Sequence, residues 1–298
     1  MSDDAARRLG RPSGVSVVVP ARNRADVIAR QLDALAGQTS TLPFEVVVVD
    51  NGSSDATASV TRAFRDRFES LEVIEATQRR GAAHARNVGV HAAAGELLAF
   101  CDSDDVVHAG WIDALVSAWS PGTLVAGRIH RLQVDDDSGL PGLPTQPARP
   151  RPPLRGFLPF ADSANLAIGR RDFDSIGGLD ESYRFSADVD LSWRAQLAGV
   201  RFVQAPEAIV FKRPSPPGWI RFRQYHRWGR ATVQLYGTYR AQGMPRRPSR
   251  AIARSWTALG AHALRSVVDP SRRDAAVRQT GWCTGYALGS LRYRVLYL

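Results

Sequence analysis

Residues 15–50 read VSVVVPARNRADVIARQLDALAGQTSTLPFEVVVVD, and the two ends of this stretch decide the fold. "VSVVVP" (Val15 to Pro20) is β-branched and continuously apolar, the composition of a strand buried on both faces of a parallel sheet. "FEVVVVD" (Phe44 to Asp50) repeats it. Between them Ile28, Leu32 and Leu35 fall on one side of a helix, with Asn23 as the candidate cap near its start. A buried strand, a helix and a second buried strand make a parallel crossover unit.

The alternation continues downstream. Gly52 turns the chain, Ser53 or Ser54 caps the next helix, and Ala56, Val60, Phe64 and Phe68 follow at four-residue spacing. "LEVIEA" (Leu71 to Ala76) reads as a third strand, "GAAHARNVGVHAAAG" as a helix stopped at Gly95, and "ELLAFC" (Glu96 to Cys101) as a fourth strand. This is a doubly wound α/β pattern, a Rossmann-like, mostly parallel sheet flanked by helices. Further on, "ADVDLSWRAQLAG" repeats Val189, Trp193 and Leu197 every four residues, with Gly199 as its stop. The proline-rich stretch from Leu140 to Gly156 is expected as a surface loop, either a connector or a lid over the acceptor side.

Ligands of such sheets bind beyond the carboxyl ends of the strands. Polar groups cluster there after strand one (Pro20, Arg22, Asn23), after strand two (Asp50, Asn51) and after strand four (Asp102, Ser103, Asp104, Asp105). Any one of these loops reads equally well as a polar strand end with a helix cap, but three in succession point to one crevice. Asp102 and Asp104, two residues apart on an extended segment, can both face one hard cation, or one can face the cation and the other a ribose. Asp105 reads most simply as a cap for the segment through Trp111. Asp188 falls in the first turn of its helix, where the dipole favours a carboxylate, so it reads as a cap or as a general base. Asp190 is open to either role.

The chain has 298 residues with 44% hydrophobic content, enough to bury a sizeable core. Its net charge of +10 is unevenly placed: from Arg213 onward 16 arginines stand against Asp269 and Asp274, which leaves the first 212 residues at −4. Lys212 is the only lysine, so no glycine-rich turn carries a Walker-type phosphate lysine and ATP hydrolysis of that kind is excluded. Cys101 and Cys283 have neither metal-site spacing nor disulfide-scaffold numbers; both read as ordinary thiols, Cys101 as a small buried hydrophobe. The start, "MSDDAARRLG", has no apolar stretch behind it, and no apolar run of membrane-spanning length occurs, so a cytoplasmic location is expected.

Four segments together carry a resemblance: "SVVVPARNR" (16–24), "FEVVVVDNGSSDAT" (44–57), "GAAHARNVGVHAAAGELLAFCDSDD" (81–105) and "GGLDESYRFSADVDLSWR" (177–194). In this order they resemble the motifs of family 2 glycosyltransferases of GT-A fold, over about Val15 to Lys212. The resemblance implies transfer of a sugar from a nucleoside-diphosphate donor to an acceptor hydroxyl, usually with inversion and usually with Mn²⁺ or Mg²⁺. It implies donor-binding roles for Pro20, Arg22, Asn23, Asp50, Asn51 and Asp102, a diphosphate-side role for Arg86, metal-binding roles for Asp102 and Asp104, and Asp188 as the base. Arg86 also reads as a solvated helix residue. Asn51 stands where a second acid is common, so uridine, thymidine and guanosine all stay open. Two more positions depart from the family pattern: Ala187-Asp188 replaces Glu-Asp, and Lys212 replaces a His, which removes a candidate metal ligand and offers an ammonium to the diphosphate instead.

The domain reading is a flexible tail over residues 1–13, a GT-A domain over 14–212, and a basic, aromatic-containing helical extension over 213–298. If helical from Trp219, that extension sets Trp219, Phe222, Val233 and Tyr236 along one face and Arg223, Arg227 and Arg230 along its neighbour. Such a face suits an anionic membrane surface through 219–236, and hence a peripheral location at the inner face of the membrane and a lipid-linked saccharide acceptor. It equally suits packing on the catalytic domain. Nucleic acid is not expected, since no nucleic-acid fold accompanies the charge. Rival functions are a non-catalytic sugar-nucleotide-binding module and an Asp-nucleophile phosphohydrolase. The latter needs its Asp-x-Asp near the first strand and a nearby lysine.

Overall fold

A computed structural model describes residues 11–131, 154–213, 218–269 and 273–297 of the protein. Residues 1–10 of the tail expected over 1–13, and residues 140–153 of the proline-rich stretch, lie outside the described residues. Among the described residues the chain forms two compact units. One takes 11–131, 159–182 and 187–213; the other takes 154–158, 183–186, 218–269 and 273–297.

The first unit is an eight-stranded mixed sheet with helices on both faces. β1 (Val15–Ala21), β2 (Phe44–Asp50), β3 (Leu71–Glu75) and β4 (Leu97–Cys101) pair in parallel in the order β3-β2-β1-β4. The order continues through β7 (Asn165–Gly169), β6 (Thr123–Arg131), β8 (Arg201–Lys212) and the short β5 (Val106–Val107). β7 is antiparallel to both neighbours, while β6 and β8 are parallel to each other. The sheet is therefore mixed, and the expected parallel half is β3-β2-β1-β4.

β1 shows why the apolar runs are continuous. Val17 and Val19 point into one core with α1 (Ile28–Ala36) and α4 (Trp111–Ala118), whereas Val18 points into the other with α3 (Ala82–Ala92). All are fully buried, each contributing about 1.5–3 kcal/mol relative to exposure. Ser16, also buried, donates to Glu45 at 2.6 Å and accepts from the Gly95 N–H at 2.7 Å. Gly95 is thus required for close approach, since a Cβ there would stand 2.6 Å from the Ser16 nitrogen. α3 has already ended at Ala92, and Arg170, opening α5 (Arg170–Ser175), donates to the carbonyls of Val90, Ala93 and Gly95.

Other expectations shift in the same way. Asn23 does not cap α1, which starts at Ile28 after Val27 with no side-chain cap. Ser53 and Ser54 do not cap α2 (Thr57–Arg62); Asp55 accepts from the Thr57 N–H instead. α2 stops before Phe64 and Phe68, yet both pack against the core as the spacing implied. In α6 (Ala187–Leu197), Val189 and Trp193 are buried but Leu197 is half-exposed, with Leu191 and Ala195 facing inward. Cys101 is fully buried, and burial pushes its thiol well above the ordinary range.

The second unit is helical: α7 (Trp219–Tyr239), α8 (Ser249–Val268) and α9 (Arg273–Tyr293). Gly281, Gly285 and Gly289 recur every four residues on α9 and meet Tyr225, Gly229 and Val233 of α7 in turn, so the two helices run parallel with backbones in near contact. A Cβ at Gly285 would overlap the His226 carbonyl oxygen. Val233, Tyr286, Val295 and Tyr297 form the small core, with Tyr236 and Trp282 against it. Within this unit Val233 and Tyr236 of α7 therefore face α9. Trp219 and Ile220 remain 67% and 55% exposed.

Candidate active site

Strand directions bring the chemistry to one edge. β8 is parallel to β6, β6 antiparallel to β7, and β7 antiparallel to β4, so β4 and β8 end where β7 begins. Asp102 follows β4, Lys212 closes β8, and Asp162 and Ser163 precede β7. Asn165 holds these strands together: it accepts from Trp111 Nε1 at 2.8 Å and donates to the carbonyls of Arg128 and Ala208 at 3.0 and 2.7 Å. A Cβ on the facing Gly127 would overlap the Asn165 side chain, which fits the register shift of β6 at that point.

Asp102 accepts from Arg86 Nη2 at 2.6 Å on one oxygen and from Lys212 Nζ at 3.0 Å on the other. Arg86 is 5% exposed, which removes the solvated-helix reading. Burial alone would raise the Asp102 carboxyl, but Lys212 and Arg86 outweigh it and hold it below the ordinary carboxylate range. Asp105 is not a helix cap: α4 begins at Trp111 after Gly110. Its buried carboxylate accepts from Lys212 at 2.9 Å and from the Arg213 N–H at 3.1 Å. Burial and the adjacent Asp102 push Asp105 up to about 7, against the pull of Lys212. For Lys212, burial would lower the ammonium, yet Asp102, Asp162 and Asp105 more than reverse this and keep it protonated. Asp104, more exposed, faces Arg24 at 3.4 Å.

Asp188 accepts from the Ser163 N–H at 3.0 Å and from its own helix's Val189 N–H at 2.9 Å. Burial first, and Asp162 second, raise its carboxyl above the ordinary range in spite of these bonds. The helix dipole therefore does not dominate, contrary to expectation. The Ser163 carbonyl lies 3.5 Å from Arg86 Nη2, so one residue touches both the base candidate and the arginine on Asp102. Asp190 is buried against Arg194 at 2.7 Å.

The remaining loops interlock. Asn23 takes a left-handed backbone (φ 51°), which asparagine tolerates, and its Oδ1 accepts from the Ser54 N–H at 2.8 Å. Arg22 reaches the Gly52 carbonyl at 3.4 Å, and Pro20 lies near the end of β1. Asp50 accepts from the Ser53 N–H at 2.8 Å. Asn51 is committed internally, donating to the carbonyls of Ala76 and Arg79 and accepting from the Gly81 N–H at 2.8 Å. Glu181 gathers Arg79, His84 and Asn87 from the neighbouring loop and α3. Sequence reasoning passed over Asp162, Ser163, Arg24 and Glu181. The first two sit beside an apolar strand, a usable signal only once that strand's reversed direction is known.

By themselves these side chains do not make a preformed cage for a divalent cation. Both Asp102 oxygens already face cations, Asp104 faces Arg24, and a protonated Lys212 cannot donate a lone pair to a metal. Among the described residues no group of three His, Cys, Asp or Glu side chains could hold a metal ion.

This mixed sheet, with its charged loops at one edge, has the GT-A fold. A model described as Glycosyl transferase family 2 matches residues 16–175, and the chain belongs to that family. It is 28% identical over 226 residues to the glycosyltransferase AglE of Haloferax volcanii, covering 74% of each chain. It is 32% identical over 212 residues to the pre-mycofactocin glycosyltransferase of Mycobacterium tuberculosis, covering 67% of this chain but only 43% of that protein. Among solved structures it is similar to the mannosyltransferase PcManGT from Pyrobaculum calidifontis, in complex with GDP-Man and Mn²⁺, with TM-score 0.63 and 21% identity over 94% of this chain and 87% of that one.

Proposed function

We propose that the chain moves a sugar from a nucleoside-diphosphate donor to an acceptor hydroxyl with inversion at the anomeric carbon. The donor spans the strand ends, with its nucleoside toward Pro20, Arg22, Asn23, Asp50 and Asn51 and its diphosphate toward Arg86, Asp102 and Lys212. Asp188 takes the proton of the acceptor hydroxyl as its oxygen bonds the anomeric carbon and the bond to the diphosphate breaks. One observation carries this reading: Ser163 donates its N–H to Asp188 and turns its carbonyl toward Arg86, which supports placing base and diphosphate at neighbouring positions. A carboxyl raised by burial, and held by two backbone N–H groups, is a stronger proton acceptor than an ordinary carboxylate, which suits a base.

The test is release of nucleoside diphosphate from UDP-, GDP- and dTDP-sugars over a panel of acceptors, with the product anomer read by NMR. Asp188→Asn is expected to bind donor within about twofold of wild type and to lose about 10²–10⁴-fold in transfer, the usual reach of general-base catalysis. Unchanged turnover removes Asp188 as the base, and a retained anomeric configuration removes inversion. For the acceptor side, the exposed Trp219 and Ile220 beside the exposed Arg223 support an anionic membrane surface, where a lipid-linked saccharide would be met.

A further inference from the structure

We propose that Lys212, stationed between Asp102 and Asp105, is a resident cation that with Arg86 takes the place of a divalent ion on the donor diphosphate. This rests on the reading of the strand-end cluster as the donor site.

The argument is one of geometry and charge. The Lys212 ammonium is 3.0 Å from Asp102 and 2.9 Å from Asp105, so two of its N–H groups are aimed and the third is left for a phosphate oxygen. Asp105 is buried and receives the Arg213 N–H on its other oxygen, which fixes it as the anchor of the ammonium. Asp102 in turn is gripped by Arg86 at 2.6 Å. Two monovalent cations on two carboxylates leave this locus with the formal charge of a divalent ion held by two carboxylates. The diphosphate therefore meets a comparable field without a metal.

In the transfer step the bond from the anomeric carbon to the diphosphate oxygen breaks and its electron pair stays on that oxygen. The acceptor oxygen bonds the carbon and its proton passes to Asp188. Lys212 keeps its own protons throughout and hydrogen-bonds the leaving diphosphate. It is the one lysine of the chain, and it stands on Asp102, a carboxylate that a metal would otherwise need.

The experiment is calorimetric titration of the full chain with UDP and GDP, each in EDTA and in Mn²⁺. Wild type is expected to bind one of them in EDTA within about threefold of its affinity in Mn²⁺. Lys212→Gln in EDTA is expected to bind it about 10–100-fold more weakly, the loss of one charge-assisted contact. A tenfold or greater loss of wild-type binding in EDTA overturns the proposal, and that arm needs no variant, so a Lys212→Gln chain that fails to fold does not shield it. Equal affinity of folded Lys212→Gln and wild type in EDTA also overturns it. Binding only with Mn²⁺ defeats the lysine alone and leaves the donor site standing; binding of neither nucleotide in either condition defeats the donor site and the lysine together.

Discussion

At the residue scale, Asp188 and Asn51 illustrate how partners redefine a side chain. A carboxylate in a first helical turn with two backbone N–H bonds is expected to titrate low, yet burial and Asp162 raise Asp188. A base must be deprotonated to act. With Asp188 as the proposed base, a folded-state pKa above the ordinary value predicts that transfer is lost as pH falls through that higher value, earlier than an unperturbed carboxyl would cause. A pH–rate profile is expected to show this acid limb at a higher pH than the ordinary carboxylate range, and an Asp162→Asn chain, with one repelling charge removed, is expected to move the limb to lower pH. A limb unmoved by Asp162→Asn would detach Asp162 from the titration. Asn51 was legible as a polar residue of the loop after β2, but its bonds to Ala76, Arg79 and Gly81 were not, because they cross between loops far apart in sequence. The same holds for Asp105, whose cap reading assumed that its nearest helix was its partner; its partner is Lys212, more than 100 residues away.

At the scale of elements, local pattern and long-range packing divide the result unevenly. The first four strands were legible because each is a short apolar run buried on both faces, a signal that needs no partner to be recognised. Helix ends were less so: Gly95, Asn23, Ser53 and Ser54 look like stop and cap residues, and each instead serves a contact between elements. Asn165 carried no signal, being an ordinary polar residue at the head of an apolar strand. It is nevertheless fully buried and satisfies Trp111 Nε1 and the carbonyls of Arg128 and Ala208. Asn165→Ala is expected to leave those groups unpaired and to cost about 2–4 kcal/mol in urea unfolding. Loss under about 0.5 kcal/mol would mean that water replaces the amide at no net cost.

At the scale of the whole molecule, charge is divided between the negative first 212 residues and the arginine-rich remainder. No helix among the described residues is long and apolar enough to cross a membrane. With each cation near an anionic surface adding about 1 kcal/mol, the proposed membrane contact is expected to show as co-flotation with phosphatidylserine vesicles, absent with phosphatidylcholine alone and weakened by salt. The double variant Trp219→Glu, Ile220→Glu is expected to abolish it, and equal flotation of that variant would leave these side chains without this role. The sequence by itself determined the parallel half of the sheet, the strand-end loops and the family, because burial on two faces and turn chemistry are written in contiguous residues. Only the tertiary structure decided that β7 reverses, that Asp162 and Ser163 thereby join the edge, that α7 packs on a glycine stripe of α9, and that Lys212 stands on Asp102 and Asp105. Those facts depend on strand direction and on side chains brought together from distant segments, and neither is encoded in the spacing of neighbours along the chain.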